Sequence, residues 1–364
     1  MINNISKINN NFSNYDIPPV GLFNQSRQQK HTFEAYYNIY YNSNLFNICY
    51  MNSCIQCFFH LDKFVFNLFN NKGRNLLNAS KKLLNQMINF RYLNKKILSV
   101  QEIKECMSQL DERYKNYNQE DVNEFISDYL DGLLEETKTN GTLSKPKNSD
   151  FQNQNEYLDY LHFFERFYAK KGNSFIIDLF FGELRIKRYC NQCNLLFSAK
   201  FSAYNILELP IYYLSLNNTN SSLNLKDIIK NYISPSKNND IQCIKCKEGI
   251  YSQTEIYKLP KYLILYFGRT INNTYISHKI IFPKQLDLYD FVYKKTFETE
   301  NNNNYSFELR GVIYYSSYGL NNGHYTAACR CNKKEFYFDD SEVVELEKAN
   351  IIGEPIVLFY EKIN

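Results

Sequence analysis

Two Cys-x-x-Cys pairs, Cys190-Asn191-Gln192-Cys193 and Cys243-Ile244-Lys245-Cys246, restrict what this chain can fold into more than any other feature. Two intervening residues let a pair of thiolates grip one edge of a tetrahedral ion, and two such pairs complete the four-sulfur set of a zinc ribbon. Cys193 and Cys243 stand 50 positions apart, farther than a compact ribbon needs, so the metal is expected to clip together the ends of a long β-excursion. Four thiolates leave no open position for water, which makes the ion structural and leaves no catalytic metal. The competing account is free thiols that share a spacing by chance. Of the 10 cysteines, those outside the two pairs are scattered, which suits a reducing compartment better than a disulfide framework. Cys54-x-x-Cys57-x-x-His60 has no partner pair and falls on positions that a helix needs for its own packing, so it reads as core.

A chain of 364 residues, 44% hydrophobic and 16% aromatic, has ample material for a core. Its net charge of +4 is too mild to argue for nucleic acid or an anionic membrane, and its lysines near the second cysteine pair are too mixed with acids for a basic, aromatic face. The opening MINNISKINNNFSNYD lacks a basic and then apolar leader, and no stretch reaches the roughly 18 continuous apolar residues of a spanning helix. The expectation is a soluble intracellular protein, cytoplasmic or nuclear, with a disordered tail over residues 1–18.

Periodicity divides the remainder. Apolar residues at spacings of three and four predict helices over 49–69, 75–90, 100–110 and 119–136, the last with a stripe of Val122, Phe125, Ile126, Tyr129, Leu130, Leu133 and Leu134. After a loop at 138–155, β-rich runs appear at 175–186, 206–214, 253–257, 262–267, 279–282, 307–315, 325–330, 335–338 and 356–360. Loops rich in asparagine and serine are expected at 215–224, 235–240 and 299–304. Helices first and strands afterwards give an α+β fold.

Cys49 lies where a polar segment becomes the first of these helices. Unpaired N–H groups and the positive dipole end at a helix start favour a thiolate, so Cys49 is the candidate nucleophile, with a buried structural cysteine as the bland alternative. Far downstream, Gly323-His324-Tyr325 opens one strand and Phe338-Asp339-Asp340-Ser341 closes another. A carboxylate delivered across a sheet can accept from one nitrogen of an imidazole and leave the other to face a thiol. The alternative here is a hairpin with a solvated acidic turn.

Four blocks in order resemble the ubiquitin-specific protease family of cysteine deubiquitinases. Residues 44–53 resemble its cysteine box, Gln119-Glu120-Asp121-Val122-Asn123-Glu124-Phe125 its Gln/Asp box, the two cysteine pairs its zinc-binding fingers, and His324-Tyr325 with Phe338-Asp339-Asp340-Ser341 its histidine box. The resemblance implies a papain-like cysteine protease fold over residues 19–364, with a helical thumb at about 19–157, a β-rich palm at about 158–182 and 258–364, and zinc-ribbon fingers at about 183–257. It implies thiol-dependent hydrolysis after the C-terminal glycine of ubiquitin, with ubiquitin and ubiquitinated proteins as partners and a monomeric state. Cys49 would be the nucleophile, His324 the base, Asp339 its orienting carboxylate, Asn44 the oxyanion donor and Asp340 a support. Asp121 and Glu124 would meet ubiquitin's basic tail, and Gly323 with Tyr325 would flank its diglycine end. Two departures stand out: Phe46 replaces a glycine of the box and Ile48 a threonine. An earlier Gly21-Leu22-Phe23-Asn24 also looks like the start of the box, as if about twenty residues had been inserted, so Asn24 competes with Asn44. A weak or inactive ubiquitin-binding scaffold of the same fold is the alternative these departures raise.

Overall fold

Five α-helices form where the apolar spacing calls for them: α1 (Cys49–Phe59), α2 (Asp62–Asn70), α3 (Asn75–Ile88), α4 (Gln101–Leu110) and α5 (Val122–Thr137). The computed structural model describes residues 17–23, 47–90, 98–139, 144–151, 153–217, 222–272, 274–293, 305–318 and 323–363. The single helix expected over 49–69 breaks at His60 and Leu61, because α1 is buried on every side while α2 buries only Phe64, Val65 and Leu68. An enclosed helix and a one-faced helix cannot share an axis, and Leu61 takes an extended backbone between them. At the start of α5, Asp121 caps the helix by accepting from the Asn123 N–H at 2.7 Å. At its end, Glu136 reaches across to accept from the N–H groups of Arg74, Leu76 and Leu77, satisfying the first turn of α3.

The chain divides into two compact units, residues 1–137 with 310–353, and residues 138–309 with 354–364. In the first, the five helices accompany an antiparallel meander. The strand Ser306–Ser317, from Arg310 on, pairs with Gly323–Cys331, which pairs with Lys334–Asp339, which pairs with Glu342–Glu345. Helix α1 packs on the Gly323–Cys331 strand, with Cys57 Sγ 3.7 Å from Cys329 Sγ. Gly311 makes room for this, since a Cβ there would come within 3.0 Å of Cys57 Sγ. The contact places the start of α1 beside the start of that strand.

In the second unit, residues 154–171 fold as α6 (Gln154–Arg166) and α7 (Tyr168–Lys171). The β-rich run expected at 175–186 begins instead as a helix, α8 (Phe175–Phe180), because Ser174 Oγ accepts from the Ile176 N–H at 3.2 Å and starts a turn; the strand follows at Gly182–Cys190. The run at 206–214 likewise splits into the strand Leu207–Pro210 and helix α9 (Tyr212–Asn217). Short apolar runs satisfy either periodicity, and at α8 the Ser174 cap decides for a helix. Residues 235–240, expected as loop, lie mostly in the strand Ser236–Gln242, which follows helix α10 (Leu225–Ile233).

One antiparallel sheet of this unit runs in the order Leu195–Tyr204, Gly182–Cys190, Gly249–Lys258, Ser236–Gln242. At its base the buried Glu183 accepts from the hydroxyls of Tyr168 at 2.6 Å and Tyr160 at 3.1 Å. Elsewhere Glu354–Lys362 pairs antiparallel with Tyr262–Gly268, which pairs parallel with Leu207–Pro210. The fold is α+β. Among the described residues no helix is long and apolar enough to cross a membrane.

Candidate active site

Cys49 is the first residue of α1 and buried, at the helix start where the first N–H groups have no partner within the helix. The meander brings three distant groups to it. Tyr325 points its backbone N–H at Cys49 Sγ over 3.5 Å. His324, one residue earlier, holds Nε2 2.6 Å from Asp339 Oδ1 and 3.9 Å from Asp340 Oδ2. The imidazole also lies within hydrogen-bonding reach of the Cys49 thiol. The arrangement of thiol, imidazole and carboxylate expected from the sequence is therefore assembled within one compact unit.

Burial pulls the His324 imidazole down, but hydrogen bonds to Asp339 and Cys49 and the charges of Cys49 and Asp340 outweigh it and hold the ring up at about 10. A histidine raised in the folded state stabilises the fold fully below its unfolded value of 6.5, and this contribution fades as pH climbs through about 10. The urea midpoint difference between the native protein and His324→Ala is accordingly expected to shrink from pH 6.5 to pH 10. A difference that grows with pH would contradict this.

Asp340 occupies the tip between Lys334–Asp339 and Glu342–Glu345 with φ 54°, a left-handed conformation that aspartate tolerates better than most residues. Its side chain is 1% exposed, so it is no solvated turn acid. Gly323 is bracketed by Gln119, whose Nε2 donates to the Gly323 carbonyl at 2.6 Å and whose Oε1 accepts from its N–H at 2.9 Å. A Cβ on Gly323 would lie 2.3 Å from the tip of the Tyr315 ring, which would have to swing aside. Tyr325 is buried with its ring against Tyr315, the centroids 4.6 Å apart, and it meets Cys49 through its backbone.

The two acidic residues expected near a basic tail have local partners. Asp121 is the exposed cap of α5, and Glu124 pairs with the Arg113 guanidinium, which also reaches Asp128. Asn44, Asn24 and Phe46 lie outside the described residues. Ile48 is buried at the N-cap of α1. Two further side chains meet the site, Gln119 at Gly323 and Asn52 at Asp340. Asn52, a buried amide of α1 beside Ser53 and one turn before Gln56, donates from Nδ2 to Asp340 Oδ1 at 2.9 Å.

In the second unit Cys190, Cys193, Cys243 and Cys246 bring all four sulfurs within 4.8 Å of one another. Cys190 and Cys246 are 3.5 Å apart and Cys193 and Cys243 are 3.9 Å apart. A tetrahedral zinc ion with Zn–S bonds of about 2.3 Å requires sulfur separations of about 3.8 Å. Each pair is followed by a left-handed residue, Asn194 at φ 52° and Lys247 at φ 63°, and the Cys193 N–H points at Cys190 Sγ over 3.4 Å. The donors and both turns fit a structural zinc site.

The chain matches the profile of a family described as ubiquitin carboxyl-terminal hydrolase over residues 42–360. It is similar to ubiquitin carboxyl-terminal hydrolase Usp2 of Drosophila melanogaster, 25% identical over 347 residues that cover 88% of this chain and 34% of that protein. It is also similar to ubiquitin carboxyl-terminal hydrolase 2 of Bos taurus, 28% identical over 351 residues that cover 87% of this chain and 54% of the relative. The chain thus spans from about a third to about half of these relatives' length. Among solved structures, a SAGA deubiquitinating module of Ubp8, Sgf11, Sus1 and Sgf73 bound to monoubiquitin superposes with a TM-score of 0.68 at 17% identity. That match covers 97% of this chain and 70% of the other. At that identity the likeness speaks for the fold.

Proposed function

The chain belongs to the ubiquitin carboxyl-terminal hydrolase family, and from that premise we propose that it is a thiol-dependent deubiquitinase. It would hydrolyse isopeptide or peptide bonds after the C-terminal glycine of ubiquitin. The observation that carries this reading is the His324 imidazole, placed between Asp339 at 2.6 Å and the Cys49 thiol at the head of α1.

In the proposed reaction, the proton of Cys49 already resides on His324 as the imidazolium of an ion pair, and the thiolate attacks the glycine carbonyl. Asp339 fixes which ring nitrogen carries the proton, and Asp340 adds a second negative charge beside the imidazolium. The Cys49 backbone N–H and Asn44 would hold the oxyanion. His324 then returns the proton to the leaving amine, and water, deprotonated by the same imidazole, resolves the thioester. Gly323, with no side chain and with its backbone pinned by Gln119, would border the path of the diglycine end. Asp121 and Glu124 would face the basic tail, Glu124 exchanging Arg113 for a substrate cation.

In the same reading residues of about 19–157 form the thumb, 158–182 and 258–364 the palm, and 183–257 the fingers. Cys190, Cys193, Cys243 and Cys246 hold one zinc ion at the tip of the fingers' four-stranded sheet. The ion serves the fold, because four thiolates saturate it. A monomer acting in the cytoplasm or nucleus on ubiquitinated proteins completes the proposal.

Incubation with ubiquitin bearing a C-terminal electrophile tests it. The expected result is a single covalent adduct, mapped by mass spectrometry to the peptide that carries Cys49. Tight binding without capture would replace the enzyme with a ubiquitin-binding scaffold.

A further inference from the structure

Asn52 sits one turn after Cys49 on α1, 2% exposed. Its Nδ2 faces three acceptors, Asp340 Oδ1 at 2.9 Å and the carbonyls of Phe23 at 3.4 Å and Leu22 at 3.5 Å. Its Oδ1 is buried with no hydrogen-bond partner. Turning the amide over would set an oxygen against three oxygens, so the direction of the donor is fixed by its surroundings. A buried amide that leaves its acceptor unmet is held for its donor end.

That donor closes a small circuit behind the imidazole. The Leu22 N–H donates to the Asp340 carbonyl at 2.8 Å, and Gln56, one turn further along α1, donates from Nε2 to the Val20 carbonyl at 2.7 Å. A Cβ on Gly21 would lie 2.3 Å from the Ser341 carbonyl oxygen, so the segment 20–23 lies flush against the Asp340-Ser341 tip. The tip is thus gripped from α1 through Asn52 and from the segment through Leu22, while Asp339 at its edge bonds His324.

We propose that Asn52 is a positioning residue for the hydrolysis, its amide tying the Asp339-Asp340 tip to α1 and so setting the His324 imidazole against Cys49. The idea rests on the thiol, imidazole and carboxylate reading above, and it is tested by a readout that needs no ubiquitin. The charged groups facing His324 are Cys49 from α1 and Asp339 and Asp340 from the tip; on the neighbouring strand it pairs with uncharged Ser316. Removing the Asn52 donor leaves the buried Asp340 carboxylate short of a hydrogen bond and lets the tip shift, which alters the field at the imidazole and its distance to the thiol.

The experiment follows iodoacetamide alkylation of Cys49 against pH in the full chain, quantified on the Cys49 peptide by mass spectrometry. Asn52→Ala and Asn52→Asp are expected to move the pH midpoint of alkylation by about one unit. On a ubiquitin substrate they should lower kcat by about 10–100-fold with KM nearly unchanged. Gln56→Ala, which loosens the same segment without touching Asp340, serves as the structural control, lowering the melting temperature with no change in midpoint. If the Asn52 variants behave like Gln56→Ala, the proposal is overturned. Should Asn52→Asp fail to fold, Asn52→Ala removes the donor without adding a charge and carries the same comparison. A native protein that alkylates as expected yet ignores ubiquitin would refute the deubiquitinase reading and leave the Asn52 comparison to be decided by alkylation alone.

Discussion

Cys49→Ala is expected to abolish hydrolysis of ubiquitin carrying a C-terminal fluorophore while ubiquitin binding is retained, and His324→Ala to lower kcat/KM by about 10³-fold or more. A thousandfold loss corresponds to about 4 kcal/mol of transition-state stabilisation, which a lost proton acceptor can supply and a surface substitution cannot. The reason lies in the geometry. His324 has a short bond to Asp339 on one side and the thiol on the other, so no neighbouring group stands in its place. Asp339→Ala leaves the ring without its orienting acceptor, with Asp340 Oδ2 3.9 Å away as a poor replacement, and a loss of about 10²–10⁴-fold is expected. Because the three side chains act as a unit, the double variant of Cys49 and His324 should be no worse than Cys49→Ala alone. Stopped-flow or plate-reader rates on the purified variants settle the matter. Full activity in Cys49→Ala would sink the assignment of the nucleophile.

How much of this was legible beforehand follows from the range of each interaction. The stripe from Val122 to Leu134 could be read as a helix because burial on one face repeats locally, and all its members are buried as expected. Cys49 could be placed at a helix start for the same reason. His324 and Asp339 were legible because a glycine precedes the one and a strand delivers the other, a pattern with few uses. The break at His60 was not, since apolar residues continue across it and only the all-round burial of α1 demands a new axis. Nor were α8 and α9, whose aromatic and aliphatic residues suit a strand equally well, and only at α8 does a cap, Ser174, decide for a helix. Asn52 was the least accessible, because its partner Asp340 is 288 positions away and nothing local announces the pairing.

The second large effect belongs to the metal. Purified protein is expected to carry one zinc ion per chain, and a strong chelator to lower its melting temperature by about 5 °C. That figure follows from linkage. At free zinc about a thousandfold above its dissociation constant, binding stabilises by about 4 kcal/mol, and at roughly 2.1 cal/mol/K of unfolding entropy per residue each kcal/mol is worth about 1.3 °C in a chain of 364 residues. The structure gives the reason for a loss of that order. Cys190 ends one strand of the four-stranded sheet and Cys243 follows another, and the turns at Asn194 and Lys247 hold left-handed backbones that bring the sulfurs together, the second closed by the Lys247 N–H on the Cys243 carbonyl at 2.9 Å. Without the ion, thiolates separated by 3.5 Å and 3.9 Å repel one another until they take up protons. Cys243→Ser should act in the same direction, since three thiolates and a hydroxyl hold zinc less tightly. Iodoacetamide alkylation of Cys49 separates a structural ion from a catalytic one. Cys49, His324 and Asp339 belong to the other compact unit, so chelation should leave their alkylation profile in place while melting falls. Protein that binds no zinc by elemental analysis would refute the site, and a Cys49 profile that collapses on chelation would refute its purely structural role.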